Sequence, residues 1–140
     1  MNRTASAVWS GSLKDGKGEL NTGSGLLAKT PYSFAKRFGD EPGTNPEELI
    51  AAAHAGCFAM AFSAELGKAN LTPIRIEVKA TVTLDMLPTG PTVTKSHLDV
   101  TVQVPGADPA KVLAIAEDAK KECPISRLLN ATISMSAKVA

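Results

Sequence analysis

Residues 45–64 read NPEELIAAAHAGCFAMAFSA and decide the fold of this chain. Asn45 is a favoured helix cap, Pro46 suits the first helical position, and Glu48 follows the cap at capping-box spacing. After Glu48, the rest of the stretch carries no formal charge. Apolar residues fall on every side of a helix built from it, so we expect a long helix, ending near Lys68, that is buried all round.

Strand patterns flank this helix on both sides. We expect three short strands before it and three after it, within residues 4–9, 19–24, 26–34, 72–85, 92–104 and 131–139. A loop rich in turn formers is expected over residues 37–43, a further helix from Asp108 to about Lys121, and a short helical turn from Cys123 to Leu129. This order predicts an α+β fold, a mainly antiparallel sheet packed with a long buried central helix, in a single domain over residues 1–140.

The bulk composition argues against several classes of protein. The chain has 140 residues, enough for one domain with its own core. A net charge of +1 gives no bulk attraction for nucleic acid or for an anionic membrane. The first residues lead into no apolar segment of a secretory signal, and the apolar stretch of the helix is shorter than the roughly 20 residues of a membrane span. We therefore expect a cytoplasmic protein with no nucleic-acid and no membrane partner.

The two cysteines, Cys57 and Cys123, are the residues best suited to chemistry. A cysteine pair in a chain without a secretion signal indicates thiol chemistry more than a structural disulfide. The two are 66 positions apart, so their spacing does not show whether they pair. Each could instead be a small buried hydrophobic residue. Neither has His or carboxylate partners at ligand spacing, so we expect no metal and no cofactor.

A reactive Cys57 needs a cation beside it. The thiolate is the nucleophile, and apolar surroundings raise the pKa of a thiol. One candidate is His54, a helical turn before Cys57, although a lone histidine in such a helix is more often a hydrogen-bonded core residue. The other candidates are arginines: Arg3, Arg37, Arg75 and Arg127. Arg37 lies in the expected turn-rich loop, where an arginine is usually a solvated charge.

Several short motifs occur in a recognisable order along the chain. The runs are WSG at 9–11, GKG at 16–18, PYSF at 31–34, RF at 37–38, TNPEEL at 44–49, AAAHAGCF at 51–58 and CPIS at 123–126. Together they resemble the osmotically inducible protein C and organic hydroperoxide resistance family. The resemblance covers nearly the whole chain. The arginine just before the Glu-Pro-Gly loop is similar to that of the osmotically inducible branch.

This resemblance implies a thiol-dependent peroxidase with the fold of that family, in an intertwined homodimer. It implies that Cys57 is the peroxidatic cysteine and Cys123 the resolving one, joined in a disulfide after Cys57 becomes a sulfenic acid. Arg37 would stabilise the Cys57 thiolate, and Glu47 would hold Arg37. The implied substrates are organic hydroperoxides, and the implied reductant is a dithiol, notably a lipoyl group on a protein. The apolar wall would come from candidates on and before the helix: Phe34, Phe38, Phe58, Met60 and Phe62.

The spacing of Glu47 and Cys57 restricts how such a site could be built. Ten residues separate them, which is about 15 Å along a straight helix. An antiparallel helix from a partner would bring Glu47 of one subunit near Cys57 of the other. That close approach would be permitted by the small residues of the helix: Ala51, Ala52, Ala53, Ala55 and Gly56. We therefore expect a site shared between subunits.

Two other functions fit the same residues. A redox sensor or binding protein could use the cysteine pair as a switch without turnover, although no DNA-binding element is evident. A structural dimer could carry both cysteines as inert buried side chains.

Overall fold

The N-terminal part of the chain is a small antiparallel sheet followed by a short helix. The computed structural model describes residues 1–140 and forms two compact units, Met1–Leu49 and Ile50–Ala140. In the first unit, strands β1 (Ala5–Ser10), β2 (Lys17–Thr22) and β3 (Thr30–Tyr32) pair antiparallel in that order. Helix α1 (Phe34–Phe38) follows. That the whole chain acts as one domain stays a prediction.

The segment around Arg37 is helical, where the sequence predicts a loop. Both Arg37 and Phe38 belong to the helix, and the irregular segment begins at Gly39. The cap is Ser33, whose hydroxyl accepts a hydrogen bond from the Lys36 N–H at 3.2 Å. A serine in this position satisfies one of the N–H groups that a helix start leaves free. The prediction of a loop is therefore wrong for Arg37 and Phe38.

The GKG run is required by close packing of the first sheet. Gly18 is buried and pairs with Trp9 on one side and Tyr32 on the other. The two aromatic rings meet with centroids 5.4 Å apart, and a Cβ on Gly18 would overlap the Tyr32 ring. Only glycine leaves room for these rings to pack over the strand.

Helix α2 (Pro46–Lys68) has the expected start and end. The Asn45 side chain accepts a hydrogen bond from the Glu48 N–H at 2.8 Å, which confirms the cap. The expectation of burial all round is wrong. The core covers only one side of the helix, so the opposite side, including Gly56 and Met60, is exposed. The buried side is a single stripe at four-residue spacing: His54, Phe58, Phe62 and Leu66.

Length and hydropathy alone would allow α2 to cross a membrane. Central helices of globular cores meet the same criteria, so this finding alone does not distinguish a membrane-spanning helix from a core helix.

The second unit is a mixed three-stranded sheet with a helical crossover. Strands β4 (Arg75–Leu87) and β5 (Gly90–Gln103) pair antiparallel, and β6 (Thr132–Val139) pairs parallel to β5. Helices α3 (Pro109–Glu122) and α4 (Pro124–Leu128) connect β5 to β6, as a parallel pair requires. The α+β fold with mainly antiparallel sheets and a central helix is confirmed, with the parallel pair as an addition.

The core of the second unit lies between its sheet and helices α2 and α3. Alternate residues of β5 point inward, as the two-residue period of a strand dictates. One face of β6 also packs on the core through alternate residues: Ile133, Met135, Ala137 and Val139. The fully or nearly fully buried core residues are Phe58, Phe62, Leu66, Leu98, Val100, Val102, Val104, Val112, Ala116, Ala119 and Cys123.

Candidate thiol site

The two cysteines meet within the second unit. Cys57 lies half-buried on α2, Cys123 is fully buried, and both are free thiols. The Cys123 side chain lies against the Cys57 sulfur, and the backbone N–H of Ile125 faces it. The structure thus brings together a pair that the spacing along the chain could not establish.

The surroundings of Cys57 do not by themselves favour its ionised form. Burial raises the pKa of the Cys57 thiol, the facing N–H of Ile125 lowers it, and the Cys123 thiol raises it, so that the pKa lies above its ordinary value. Desolvation penalises the charged form, and a lone backbone N–H compensates only in part. The expected effect of burial is confirmed, and so a cation would be needed to make this thiol reactive at neutral pH.

The start of α4 places the groups that face Cys57. Cys123 is the cap residue of this helix and Pro124 its first residue, as expected from the sequence. The first N–H groups of a helix have no partner within it. The N–H of Ile125, one residue after Pro124, is therefore available to the sulfur.

His54 is a hydrogen-bonded core residue. It is fully buried, its Nδ1 lies 2.7 Å from the Ser96 hydroxyl, and its Nε2 lies 2.8 Å from the Ser126 hydroxyl. Burial lowers the pKa of His54, which keeps the imidazole neutral. His54 is therefore not the cation that Cys57 would need.

Arg37 and Glu47 form an ion pair in the first unit. The guanidinium Nη2 of Arg37 lies 2.7 Å from Glu47 Oε1, and its Nε lies 3.3 Å from both carboxylate oxygens. The Arg37 guanidinium also lies 5.1 Å from the centre of the Phe38 ring. Glu47 stands in the first turn of α2, where the helix dipole favours a carboxylate. Arg37 is thus held in place rather than free in solvent.

The other arginines have other neighbours. Arg75 pairs with Glu77, and Arg127 lies 4.0 Å from Glu122. Arg3 donates to the backbone of Asn2. None of these guanidinium groups is arranged like Arg37, against a carboxylate and an aromatic ring together.

An apolar cleft of about 230 Å³ adjoins Arg37 in the first unit. Its walls include Phe34 and Phe38, whose rings pack at 4.9 Å. Phe58 and Phe62 were expected in the same wall, but both are fully buried in the core of the second unit and line no open cavity. Met60 is exposed. The complete lining is Trp9, Leu13, Tyr32, Ser33, Phe34, Arg37 and Phe38.

Ser96 and Ser126 are site residues that the sequence did not reveal. They lie 42 and 72 positions from His54 and contact it only in the folded chain. Ser126 belongs to the CPIS run, which was the one available signal. The structure contains no group of three or more His, Cys, Asp or Glu residues that could hold a metal ion.

Comparisons with known proteins agree with the motif order. A family model described as OsmC-like protein matches residues 39–138. Peroxiredoxin OsmC of Escherichia coli is 46% identical over 135 residues, covering 96% of this chain and 94% of that protein. An organic hydroperoxide resistance protein of Xanthomonas axonopodis pv. citri is 30% identical over 112 residues, covering 79% of this chain and 75% of that protein.

Solved structures share the fold at low sequence identity. An OsmC-like protein of unknown function from Vibrio cholerae superposes with a TM-score of 0.76 at 17% identity, covering 98% of this chain and 99% of that one. The organic hydroperoxide resistance protein OhrB of Bacillus subtilis superposes with a TM-score of 0.68 at 22% identity, covering 98% of both chains.

Proposed function

Because this chain belongs to the OsmC-like family, in its OsmC branch, we propose that it is a thiol-dependent peroxidase that reduces organic hydroperoxides to alcohols. The observation that carries the proposal is the contact of two free thiols, Cys57 and Cys123, at the edge of a packed core. The names of the relatives in Escherichia coli and Xanthomonas axonopodis support a hydroperoxide-detoxifying redox role.

The proposed reaction has two steps. The Cys57 thiolate attacks one peroxide oxygen, the O–O bond breaks, and the alkoxide leaves and takes up a proton as the alcohol. Cys57 is thereby oxidised to a sulfenic acid. The Cys123 sulfur then attacks the sulfenic sulfur, forming the Cys57–Cys123 disulfide and releasing water. A dithiol, which we propose to be a lipoyl group on a protein, reduces that disulfide and is itself oxidised.

Arg37 is the proposed source of the missing cation. The pKa of Cys57 is raised, and an opposite charge close to the sulfur would lower it. Glu47 holds Arg37, yet Glu47 precedes Cys57 by ten residues on the same helix, about 15 Å along its axis. We therefore propose a homodimer in which the pair of one subunit serves Cys57 of the other. The exposed side of α2, with its small residues, supports such a contact.

The apolar cleft beside Arg37 supports the choice of substrate. Phe34 and Phe38 present ring surface next to the guanidinium. An alkyl or aryl hydroperoxide can bury its carbon tail there while its peroxide group stays near the cation. Hydrogen peroxide has no such tail, so we propose a preference for organic hydroperoxides. We also propose a cytoplasmic location, where thiols are kept reduced.

Steady-state turnover tests the proposal. The purified protein is given cumene hydroperoxide and dithiothreitol, and the rate is compared with that of Cys57→Ser, which should fall to the background reaction of the dithiol. Cys123→Ser, given peroxide without any dithiol, should consume one equivalent and stop at the Cys57 sulfenic acid. Mass spectrometry of peroxide-treated protein should show a Cys57–Cys123 link. Oxidation of one equivalent without turnover would support a redox sensor instead, and no oxidation of either thiol would support a structural role.

A further inference from the structure

We propose that His54 is a positioning residue that holds α4 against α2, so that Cys123 and the Ile125 N–H face Cys57. This inference rests on the proposed function, because it concerns the step in which the two sulfurs join. It assigns a role to a buried imidazole whose two ring nitrogens contact serine hydroxyls.

The two helices contact each other at two points. His54 and Cys57 lie one turn apart on α2, and Ser126 lies three residues after Cys123. His54 contacts the Ser126 hydroxyl, and Cys57 contacts the Cys123 side chain and the Ile125 N–H. The hydrogen bond and the thiol contact therefore act as two adjacent contacts between the same two turns.

Helix α4 has a single apolar anchor on the core, Ile125. The helix has five residues, none of them fully buried, and Arg127 and Leu128 are exposed. Burial of apolar surface thus stabilises its position only weakly. A hydrogen bond to a fully buried imidazole weighs more in such a segment, because breaking it leaves a buried polar group without a partner.

The other end of the imidazole is fixed to the sheet. The Nδ1 of His54 lies 2.7 Å from the hydroxyl of Ser96, a buried residue of β5. A neutral imidazole has one donor and one acceptor nitrogen, and a serine hydroxyl can take either role. The chain Ser96–His54–Ser126 is therefore fully satisfied without a proton from solvent, and it ties α4 to the sheet through α2.

The test measures how readily the two thiols join, without any peroxide. The full-length protein is equilibrated with mixtures of glutathione and glutathione disulfide in the absence of oxygen. One glutathione disulfide oxidises the two thiols to the Cys57–Cys123 disulfide and becomes two glutathione molecules. Acid quenching, alkylation and mass spectrometry then give the fraction in the disulfide form and hence the equilibrium constant.

Ser126→Ala removes the link to α4 and should lower that equilibrium constant about tenfold, the factor that corresponds to loss of one hydrogen bond to a buried group. Ser126→Thr keeps the hydroxyl and should restore it to within about twofold. The matched control is Ser134→Ala, which removes a 2.7 Å contact to the other histidine, His97, and should leave the constant unchanged.

An unchanged constant in Ser126→Ala, with the protein folded by circular dichroism, overturns the proposal. If that variant does not fold, Ser96→Ala serves instead, since it frees the imidazole from the sheet and should also lower the constant. A loss of stability alone would not change the ratio of disulfide to dithiol in the folded protein. If the wild type forms the disulfide and Ser126→Ala does not, but neither turns over peroxide, the positioning role stands and the proposed function fails.

Discussion

Arg37 and Glu47 are joined side-on, with Nη2 at 2.7 Å from one carboxylate oxygen and Nε at 3.3 Å from both. The Nη1 nitrogen of Arg37 makes no hydrogen bond, so one edge of the guanidinium remains available for a second anion. Glu47 is held at the start of α2 and is largely buried, at 13% side-chain exposure. This arrangement presents a fixed positive edge, which is what a thiolate in apolar surroundings requires.

Mixed dimers test where Arg37 acts. Arg37→Gln should slow peroxide consumption by about tenfold or more, because loss of the opposite charge lowers the fraction of Cys57 present as thiolate. The neighbouring Lys36→Gln removes the same charge from α1 and should have a small effect. A dimer of one Arg37→Gln subunit and one Cys57→Ser subunit should keep about half of the wild-type activity, since one intact arginine would face one intact cysteine across the interface.

Differently tagged subunits, co-expressed and purified in two steps, give these mixed dimers. Activity close to background would mean that Arg37 does not serve the cysteine of its partner.

Glu47→Gln should weaken the hold on Arg37. We expect a rate several-fold below wild type, smaller than the loss in Arg37→Gln, because the guanidinium remains but loses its ionic partner. Glu48→Gln is the matched control, one residue along and exposed. Its carboxylate does not contact Arg37, so its rate should equal that of the wild type. Stopped-flow measurement of Cys57 oxidation separates these variants, and equal rates in the two would remove Glu47 from the site.

The stability of the protein should fall below pH 6.5 through His54. Burial lowers the pKa of His54 from 6.5, so the unfolded chain takes up a proton that the folded chain resists. The contribution of His54 to the free energy of unfolding is therefore fully present above pH 6.5. It decreases as the pH falls below that value, by at most about 1.4 kcal/mol per pH unit. His54→Gln should flatten this dependence.

Urea unfolding between pH 7.5 and 5.5 measures the effect, with His97→Gln as the control. If the wild type and His54→Gln lose stability in parallel over this range, the buried imidazole is not its source.

Two glycines of α2 test the proposed dimer. A Cβ on Gly56 or on Gly67 would meet no atom within 4 Å in the single chain. Within the single chain, alanine at either position should therefore raise the free energy of unfolding by about 0.5–1 kcal/mol, from helix propensity alone. If a partner helix lies close to Gly56, Gly56→Ala should instead weaken the dimer, while Gly67→Ala should simply stabilise it. Sedimentation velocity over a range of concentrations, with thermal unfolding alongside, shows whether the two variants differ in this way.

Local chemistry accounts for what could be predicted of the fold. The start of α2 follows from Asn45 and Pro46 because a cap and a first-turn proline act within a few residues. No local pattern predicts α1, because five residues are too few for a periodicity and the cap at Ser33 comes directly after a strand. The exposed side of α2 does not follow from the sequence, because composition shows how apolar a helix is but not how many of its sides are covered.

Long-range contacts account for what could not be predicted of the site. The meeting of Cys57 and Cys123 depends on the parallel pairing of β5 and β6, which no local pattern specifies. Ser96 and Ser126, whose hydroxyls contact His54, are likewise remote from it in sequence. The sequence indicated which residue types would carry the chemistry, and the topology decided which of them became neighbours.

The crossover between β5 and β6 has a consequence for how the two thiols come together. Because β6 pairs parallel with β5, the segment that carries Cys123 is tethered to the sheet at both ends only when β6 has joined it. Without that strand, bringing the two sulfurs together means closing a long loop, which costs conformational entropy. The proximity of the two thiols is thus a product of the assembled sheet and not of either cysteine's own helix.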